Sequence, residues 1–261
     1  MKLADKCIVV TGAAGGIGAA MARRFAAEQP RGIVVSDRDE AGVNAVAAEI
    51  GALAVACDVT KESEVGALVD AAEVRFGPVD LFCSNAGVIT LGGAEASDAE
   101  WELSLGVNVM AHVYAARILV PAMLERGGGY LLQTASAAGL LTQLGSAPYS
   151  VTKHAALALA EWLAITYGDQ GLKVSVLAPQ AVRTAMTAGV VDGGVAGVDG
   201  MLEPDAVAEA VVAGIDAESF LILPHPVVLD YFQRKASDYE RWLNGMRRLQ
   251  ARFGGAGEAP G

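Results

Sequence analysis

The stretch PYSVTKHAAL, residues 148–157, carries a tyrosine and a lysine four positions apart at the front of an alanine-rich run. On a helix, positions i and i+4 share one face, so Tyr149 and Lys153 can reach a common pocket. A tyrosine of pKa ~10 is a poor base at neutral pH, and a cation one turn away favours its phenolate. If the pair shares its pocket with a cofactor, it is an acid/base device; on a solvated face it is only a surface pair. A second stretch with chemistry in its composition is TGAAGGIGAAMARRF, residues 11–25, with glycines at 12, 15, 16 and 18. Glycine allows a tight turn and close approach of the backbone to a pyrophosphate, whose charge a following helix N-terminus favours. The spacing Gly12-x3-Gly16-x-Gly18 differs from GxGxxG. Asp37 ends the next β-like run, where a carboxylate can accept from an adenosine ribose hydroxyl. Its alternative use is to cap the next helix, for which Asp39 also stands ready. The glycine turn and Asp37 together favour a dinucleotide.

The elements that must position these residues alternate along the first two thirds of the chain. Short β-branched runs at 7–12, 32–37, 52–58, 79–87, 128–136, 173–179 and 219–225 predict strands. Segments of helical period at 16–29, 40–50, 62–76, 98–126, 148–169 and 203–215 lie among them. That order is the α/β signature. The strands are apolar along nearly their whole length, as expected when helices cover both faces of a parallel sheet. A doubly wound fold follows, with ligands outside the carboxyl ends of the strands. The glycine-rich segment 189–200 has neither period and reads as a lid or connecting loop.

Composition narrows the function classes. The length of 261 residues suits one large domain, and hydrophobic residues make up 53% of it. Charged or polar residues interrupt each apolar run before the ~18 residues that a membrane span needs. The N-terminal MKLADKCIVV runs straight into strand-like sequence, and the expected location is cytoplasmic. A net charge of −11 disfavours nonspecific binding to nucleic acid or an anionic membrane. Small molecules and further copies of the chain are the expected partners. Three cysteines, Cys7, Cys57 and Cys83, sit in apolar runs without a CxxC pattern, against a disulfide framework or zinc. The histidines, His112, His154 and His225, have no metal-ligand spacing, so no metal is expected and packing roles are assigned to them.

With these motifs in order, the chain resembles the short-chain dehydrogenase/reductase family over residues 2–225. The resemblance is carried by TGAAGGIG at 11–18, Asp58-Val59, Asn85-Ala86-Gly87, Asn108 in VNVMA, Ser136 in TASAAG, and Tyr149-x3-Lys153. It implies a single Rossmann-type domain, 1–225, with a seven-stranded parallel sheet, followed by a C-terminal helical tail, 226–261. It also implies a catalytic set. Tyr149 exchanges a proton with the alcohol or carbonyl oxygen, Lys153 holds the nicotinamide ribose, Ser136 orients the substrate oxygen, and Asn108 holds a water that relays protons toward the lysine.

The same resemblance assigns NAD to Gly12, Gly16, Ile17, Gly18, Asp37, Asp58, Val59, Asn85, Gly87, Tyr149, Lys153, Val182 and Thr184. NAD is expected over NADP because Asp37 would repel a 2′-phosphate and the turn carries Ala13 and Ala14 rather than a basic residue; Arg38 is the feature that softens this. Substrate-facing positions are Ser136, Ala137, Ala138, Leu144, Gln180, Ala181 and Met186, a set suited to a mainly apolar secondary alcohol or ketone. Gln180 departs from the Pro-Gly common in the family, and its amide is expected to project into the pocket. The alternatives are an NADP-dependent 3-oxoacyl carrier-protein reductase and a noncatalytic nucleotide-binding scaffold, since fold does not fix function. The two long central helices, apolar on more than one face, predict oligomerisation, and the resemblance implies a homotetramer in which they pack across a two-fold axis. In the tail, Phe232, Ala236, Tyr239, Trp242 or Leu243, Met246, Leu249 and Phe253 form one apolar face, while Arg234, Lys235, Arg241, Arg247, Arg248 and Arg252 are expected on the other.

Overall fold

A computed structural model describes residues 1–253; the end of the expected tail, 254–261, lies outside the described residues. The strands β1 (Cys7–Thr11), β2 (Gly32–Asp37), β3 (Leu53–Ala56), β4 (Leu81–Ser84), β5 (Gly129–Thr134), β6 (Leu172–Leu177) and β7 (Leu221–Ile222) form one sheet in the order 3-2-1-4-5-6-7. All pairings are parallel. Their alternate residues feed two cores: Cys7 and Val9 face one side of the sheet, Ile8 and Val10 the other. Helices α1 (Gly16–Ala26), α2 (Glu40–Ile50) and α8 (Pro204–Asp216) cover one face. The other is covered by α3 (Glu62–Phe76), by the long helix α4 (Asp98–Leu105) continued in α5 (Ala111–Glu125), and by α7 (Ala147–Tyr167); a short α6 (Ala138–Leu141) precedes α7. The doubly wound expectation and its seven strands therefore hold.

Strand β1 lies between β2 and β4, so the chain leaves it in opposite directions in the two halves of the sheet. The crevice at that reversal, above the strand C-termini, is where this fold presents a ligand site. The helical stretch 98–125 is long enough, and its most apolar 18-residue window apolar enough, to cross a membrane, yet half of that window is buried in the fold.

Three details differ from the sequence reading. The helix expected over 98–126 contains a π turn, Gly106–Met110, and Asn108 sits in it. Such bulges frequently mark functional sites. The last strand is reduced to Leu221–Ile222. The tail is two helices, α9 (Val227–Ser237) and α10 (Tyr239–Phe253), because Asp238 leaves helical geometry at φ −155° and its side chain accepts from Arg241 N at 2.9 Å. An Asp at such a position is a strong N-cap, which periodicity alone overlooks.

Candidate active site

The glycine turn between β1 and α1 has the shape that its composition demands. Gly12 has φ +67°, and a Cβ there would lie 2.8 Å from Ala86 Cα; a Cβ on Gly18 would lie 2.1 Å from the Gly12 carbonyl oxygen. No side chain caps the N-terminus of α1 at Gly15, so its amide groups remain available to an anion. Ile17 stands half-buried in the first turn of that helix, and Gly16 packs against the Thr184 side chain, which joins the turn to the segment after β6.

Asp37 lies beside this turn. One of its oxygens accepts from Ala14 N at 3.1 Å and the other from Asp39 N at 3.1 Å. The cap of α2 is Asp39, which accepts from Gly42 N, so Asp37 is not consumed as a helix cap. Asp58 is partly committed: its Oδ1 accepts from Thr60 N and Thr60 Oγ1, and these bonds hold its carboxyl below the usual range. Val59 is half-buried after it. Asn85 ties three strand ends together, donating to Thr11 O at 3.0 Å and accepting from Thr134 Oγ1 at 3.0 Å.

Tyr149 and Lys153 occupy the inner face of α7. Ser146 caps that helix by accepting from Tyr149 N, and Pro148 sits in its first turn, where a missing N–H costs nothing. Tyr149 is 9% exposed and Lys153 2%. The ammonium lies 5.6 Å from the Tyr149 ring centre and donates to Thr134 O at 3.0 Å. Burial lowers the lysine pKa to about 8 and raises that of the tyrosine, which the neighbouring Ser136 hydroxyl pulls back down. Desolvation thus dominates in the bare chain, and Tyr149 is a phenol at neutral pH. Ser136 is fixed from two sides: its hydroxyl donates to Pro179 O at 3.3 Å and accepts from Ala138 N at 3.1 Å.

Asn108 is fully buried, and its amide N–H groups donate to Val88 O at 2.9 Å and Thr152 Oγ1 at 3.0 Å while Oδ1 accepts from Val88 N at 2.9 Å. A water relay there is left with the remaining Oδ1 lone pair and the backbone of the π turn. Gly87 separates this amide from the lysine, since a Cβ on it would lie 3.4 Å from both Asn108 Oδ1 and Lys153 Nζ. One turn on, His112 is buried with no hydrogen bond to either ring nitrogen, and burial with the nearby Lys153 charge lowers its pKa to about 3.

On the substrate side, Ala137, Ala138 and Ala181 are buried, Leu144 is half-buried in the loop before α7, and Met186 is 42% exposed on the turn Ala185–Thr187. Val182 pairs with Leu202 in a short parallel bridge that ties down the far end of the glycine-rich segment. Gln180 corrects the sequence reading. Its amide does not project free into the pocket: Nε2 donates to Asp199 at 3.0 Å and Oε1 is buried. Asp199 also accepts from Tyr231 of α9 at 2.9 Å. Lys235, expected on the outer face of the tail, is instead buried and donates to Leu140 O at 2.6 Å. The sequence signal missed here was the spacing of Tyr231 and Lys235, i and i+4 on one helix. Among the described residues no cluster of His, Cys, Asp or Glu could hold a metal ion.

Comparison with known proteins fits this geometry. The family model for short chain dehydrogenases matches residues 6–193. A 1-deoxy-11-beta-hydroxypentalenate dehydrogenase of Streptomyces exfoliatus is 37% identical over 235 residues, covering 85% of this chain and 84% of its own. The structure of a short chain dehydrogenase/reductase from Burkholderia phymatum in complex with NAD superposes with a TM-score of 0.84 at 30% identity, over 92% of this chain and 96% of that one. A 3-ketoacyl-(acyl-carrier-protein) reductase of Brucella melitensis, complexed with NADH, matches with a TM-score of 0.77 at 33% identity, over 85% and 96%. The chain belongs to the short-chain dehydrogenase/reductase family and is an oxidoreductase of alcohols or ketones.

Proposed function

We propose that this oxidoreductase moves hydride between NAD and a secondary alcohol or ketone of mainly apolar character, with Tyr149 exchanging the proton. The observation that carries the reading is the burial of Tyr149, Ser136 and Lys153 at the C-terminal end of the sheet, where Lys153 is tied through Thr134 and Asn85 to the glycine turn before the uncapped α1. The residues fit a dinucleotide. The amides at the start of α1 suit a pyrophosphate, Asp37 suits a ribose diol, and Asp58, Val59 and Asn85 flank the adenosine side. Val182 and Thr184 would hold the carboxamide. Once bound, the nicotinamide supplies the hydride acceptor or donor and, when oxidised, a further positive charge.

The chain's own groups do the rest. The Ser136 hydroxyl gives its one proton to Pro179 O in the bare site; with its oxygen still accepting from Ala138 N, it turns that proton to a substrate oxygen when one is bound. Tyr149, a phenol in the bare site, is the proton donor for ketone reduction and, as phenolate, the acceptor for alcohol oxidation. Lys153 is a mostly protonated ammonium at pH 7 with donors to spare beyond Thr134 O, enough for ribose hydroxyls. Ala137, Ala138, Ala181, Leu144 and Met186 favour an apolar skeleton around the reacting carbon. The Streptomyces relative, named for a hydroxylated substrate, supports an alcohol as the group oxidised.

The carrier-protein reductase reading cannot be separated by cofactor, because the Brucella relative is complexed with NADH. A net charge of −11 disfavours docking of an acidic carrier and supports the free alcohol. A homotetramer is supported by apolar side chains left exposed on α4 and α7, with Trp162 at 55% and Ile165 at 84%. The test is a panel of secondary alcohols, ketones and an acyl-carrier thioester assayed with NAD and NADP by absorbance of the reduced nicotinamide. NAD-linked turnover of bulky apolar alcohols is expected. Turnover confined to NADP, or to the thioester, refutes the reading.

A further inference from the structure

Ser136 is oriented by two neighbours, the Pro179 carbonyl at the end of β6 and the Ala138 amide at the start of α6. The Pro179 carbonyl also accepts from Ala137 N at 2.8 Å, so the two neighbours are themselves joined. Each is followed closely by a residue that helix α9 holds. Gln180, adjacent to Pro179, donates to Asp199 Oδ2 at 3.0 Å, and Tyr231 of α9 donates to Asp199 Oδ1 at 2.9 Å. Leu140, in the same short helix as Ala138, accepts from Lys235 Nζ of α9 at 2.6 Å. Tyr231 and Lys235 are one turn apart on the same face, and Val228, three residues before Tyr231, is fully buried against the core. The backbone of Gln180 is held as well, its N–H donating to Nδ1 of the buried His225 at 3.2 Å just before α9 begins.

We propose that Tyr231 and Lys235 are positioning residues for Ser136, bracing through Asp199–Gln180 and through Leu140 the two segments that aim its hydroxyl at the substrate oxygen. The arrangement explains why a Gln follows Pro179. A glycine would have no side chain to reach Asp199, and the lid segment would lose its link to the serine's support. It also explains the burial of Lys235, whose ammonium takes a carbonyl of the last turn of α6 that the helix itself does not pair. The brace rests on the reading of Ser136 as the group that orients the substrate oxygen.

The experiment compares Tyr231→Phe, Asp199→Asn, Lys235→Met and Lys235→Arg as full-length proteins. Tyr231→Phe removes one hydrogen bond to a carboxylate and should lower kcat/KM for the best alcohol about tenfold, while the NADH dissociation constant stays within about twofold. Lys235→Met should do the same, with Lys235→Arg restoring most of the loss. Tyr231→Phe with Asp199→Asn should cost little more than either alone, because both break one chain. Amide hydrogen exchange over 189–200 in the cofactor-free protein should quicken about tenfold in Tyr231→Phe. Unchanged kcat/KM and exchange in Tyr231→Phe would overturn the brace. A fall in melting temperature with kcat/KM intact, or equal losses in alcohol and NADH affinity, would also overturn it and leave α9 a packing element. If Lys235→Met does not fold, Tyr231→Phe and Asp199→Asn carry the test. If wild-type protein turns over no alcohol, the proposed function fails by itself, and hydrogen exchange still decides whether α9 holds the lid.

Discussion

Lys153 should be a liability to the folded chain until a cofactor occupies the site. Its pKa falls from 10.5 to about 8 because burial strips the ammonium of water. A base whose folded pKa is depressed costs the fold most where both states are protonated, and that cost falls with rising pH only where the unfolded chain binds more protons. The penalty is complete below pH 8, shrinks as pH rises from 8 to 10.5, and is absent above that. A depression of this size corresponds to about 3 kcal/mol at pH 7, at roughly 1.4 kcal/mol per unit. Lys153→Met keeps the length of the side chain and removes the charge. It forfeits the bond to Thr134 O, worth about 1 kcal/mol.

The cofactor-free variant should therefore be more stable than wild type by about 2 kcal/mol at pH 7 while losing activity, the trade expected of a strained functional group. Urea unfolding followed by tryptophan fluorescence, at one fixed protein concentration, measures it; the concentration matters because assembly shifts apparent stability. The advantage should decline steadily as the measurement moves from pH 8 to 10. A variant equal to or weaker than wild type at pH 7, or an advantage that does not change with pH, would refute the argument from desolvation.

Other outcomes are expected from the same site. Tyr149→Phe should lower kcat on the order of 10²–10⁴-fold, the range for loss of a general acid or base, with NADH affinity near wild type by fluorescence titration. Asp37→Ala should raise kcat/KM with NADP relative to NAD by about tenfold, since it removes a like charge and a ribose acceptor together; a wild-type enzyme indifferent to the two cofactors would refute it. His112, with its pKa lowered to about 3, stays neutral in the fold while the unfolded chain takes up a proton near pH 6.5. Its titration therefore contributes nothing above that pH and destabilises the fold by roughly 1.4 kcal/mol per unit as pH falls toward 3. His112→Leu should show a shallower loss of stability between pH 6.5 and 5 in denaturant titrations, and an unchanged slope would sink the assignment.

The parts of the fold that were legible are those in which local chemistry and tertiary role coincide. The strands were readable because burial on both faces leaves near-continuous apolar runs, and the glycine turn because Gly12 and Gly18 tolerate no Cβ. Tyr149 and Lys153 were readable because one helix sets their spacing. The unread parts depend on partners far away in sequence. Lys235 looked like one more basic residue on a solvated face, and only the placement of α6, 95 residues earlier, turns it inward. Gln180 was recognised as a departure, but its partner is Asp199 in a segment without periodicity. His112 passed as packing, although neither ring nitrogen has a partner.

The same division explains how the site can be both buried and reactive. Interior positions along the strands are mostly apolar, and polar groups gather where the strands stop: Ser84 and Gln133 stand in register on β4 and β5, Thr11 ends β1, Thr134 ends β5, and Asn85 follows β4. Thr11 Oγ1 donates to Cys83 O and accepts from Asn85 N, while Asn85 donates to Thr11 O and accepts from Thr134 Oγ1, so the strand ends are tied into one floor. On that floor Lys153 can be stripped of water and still find Thr134 O, and Tyr149 can stay a phenol against a protonated lysine. Desolvation here sets both ionisation states, and the spacing in sequence only brings the two side chains within reach. A Tyr-x3-Lys spacing on an exposed helix would have the pair without the chemistry.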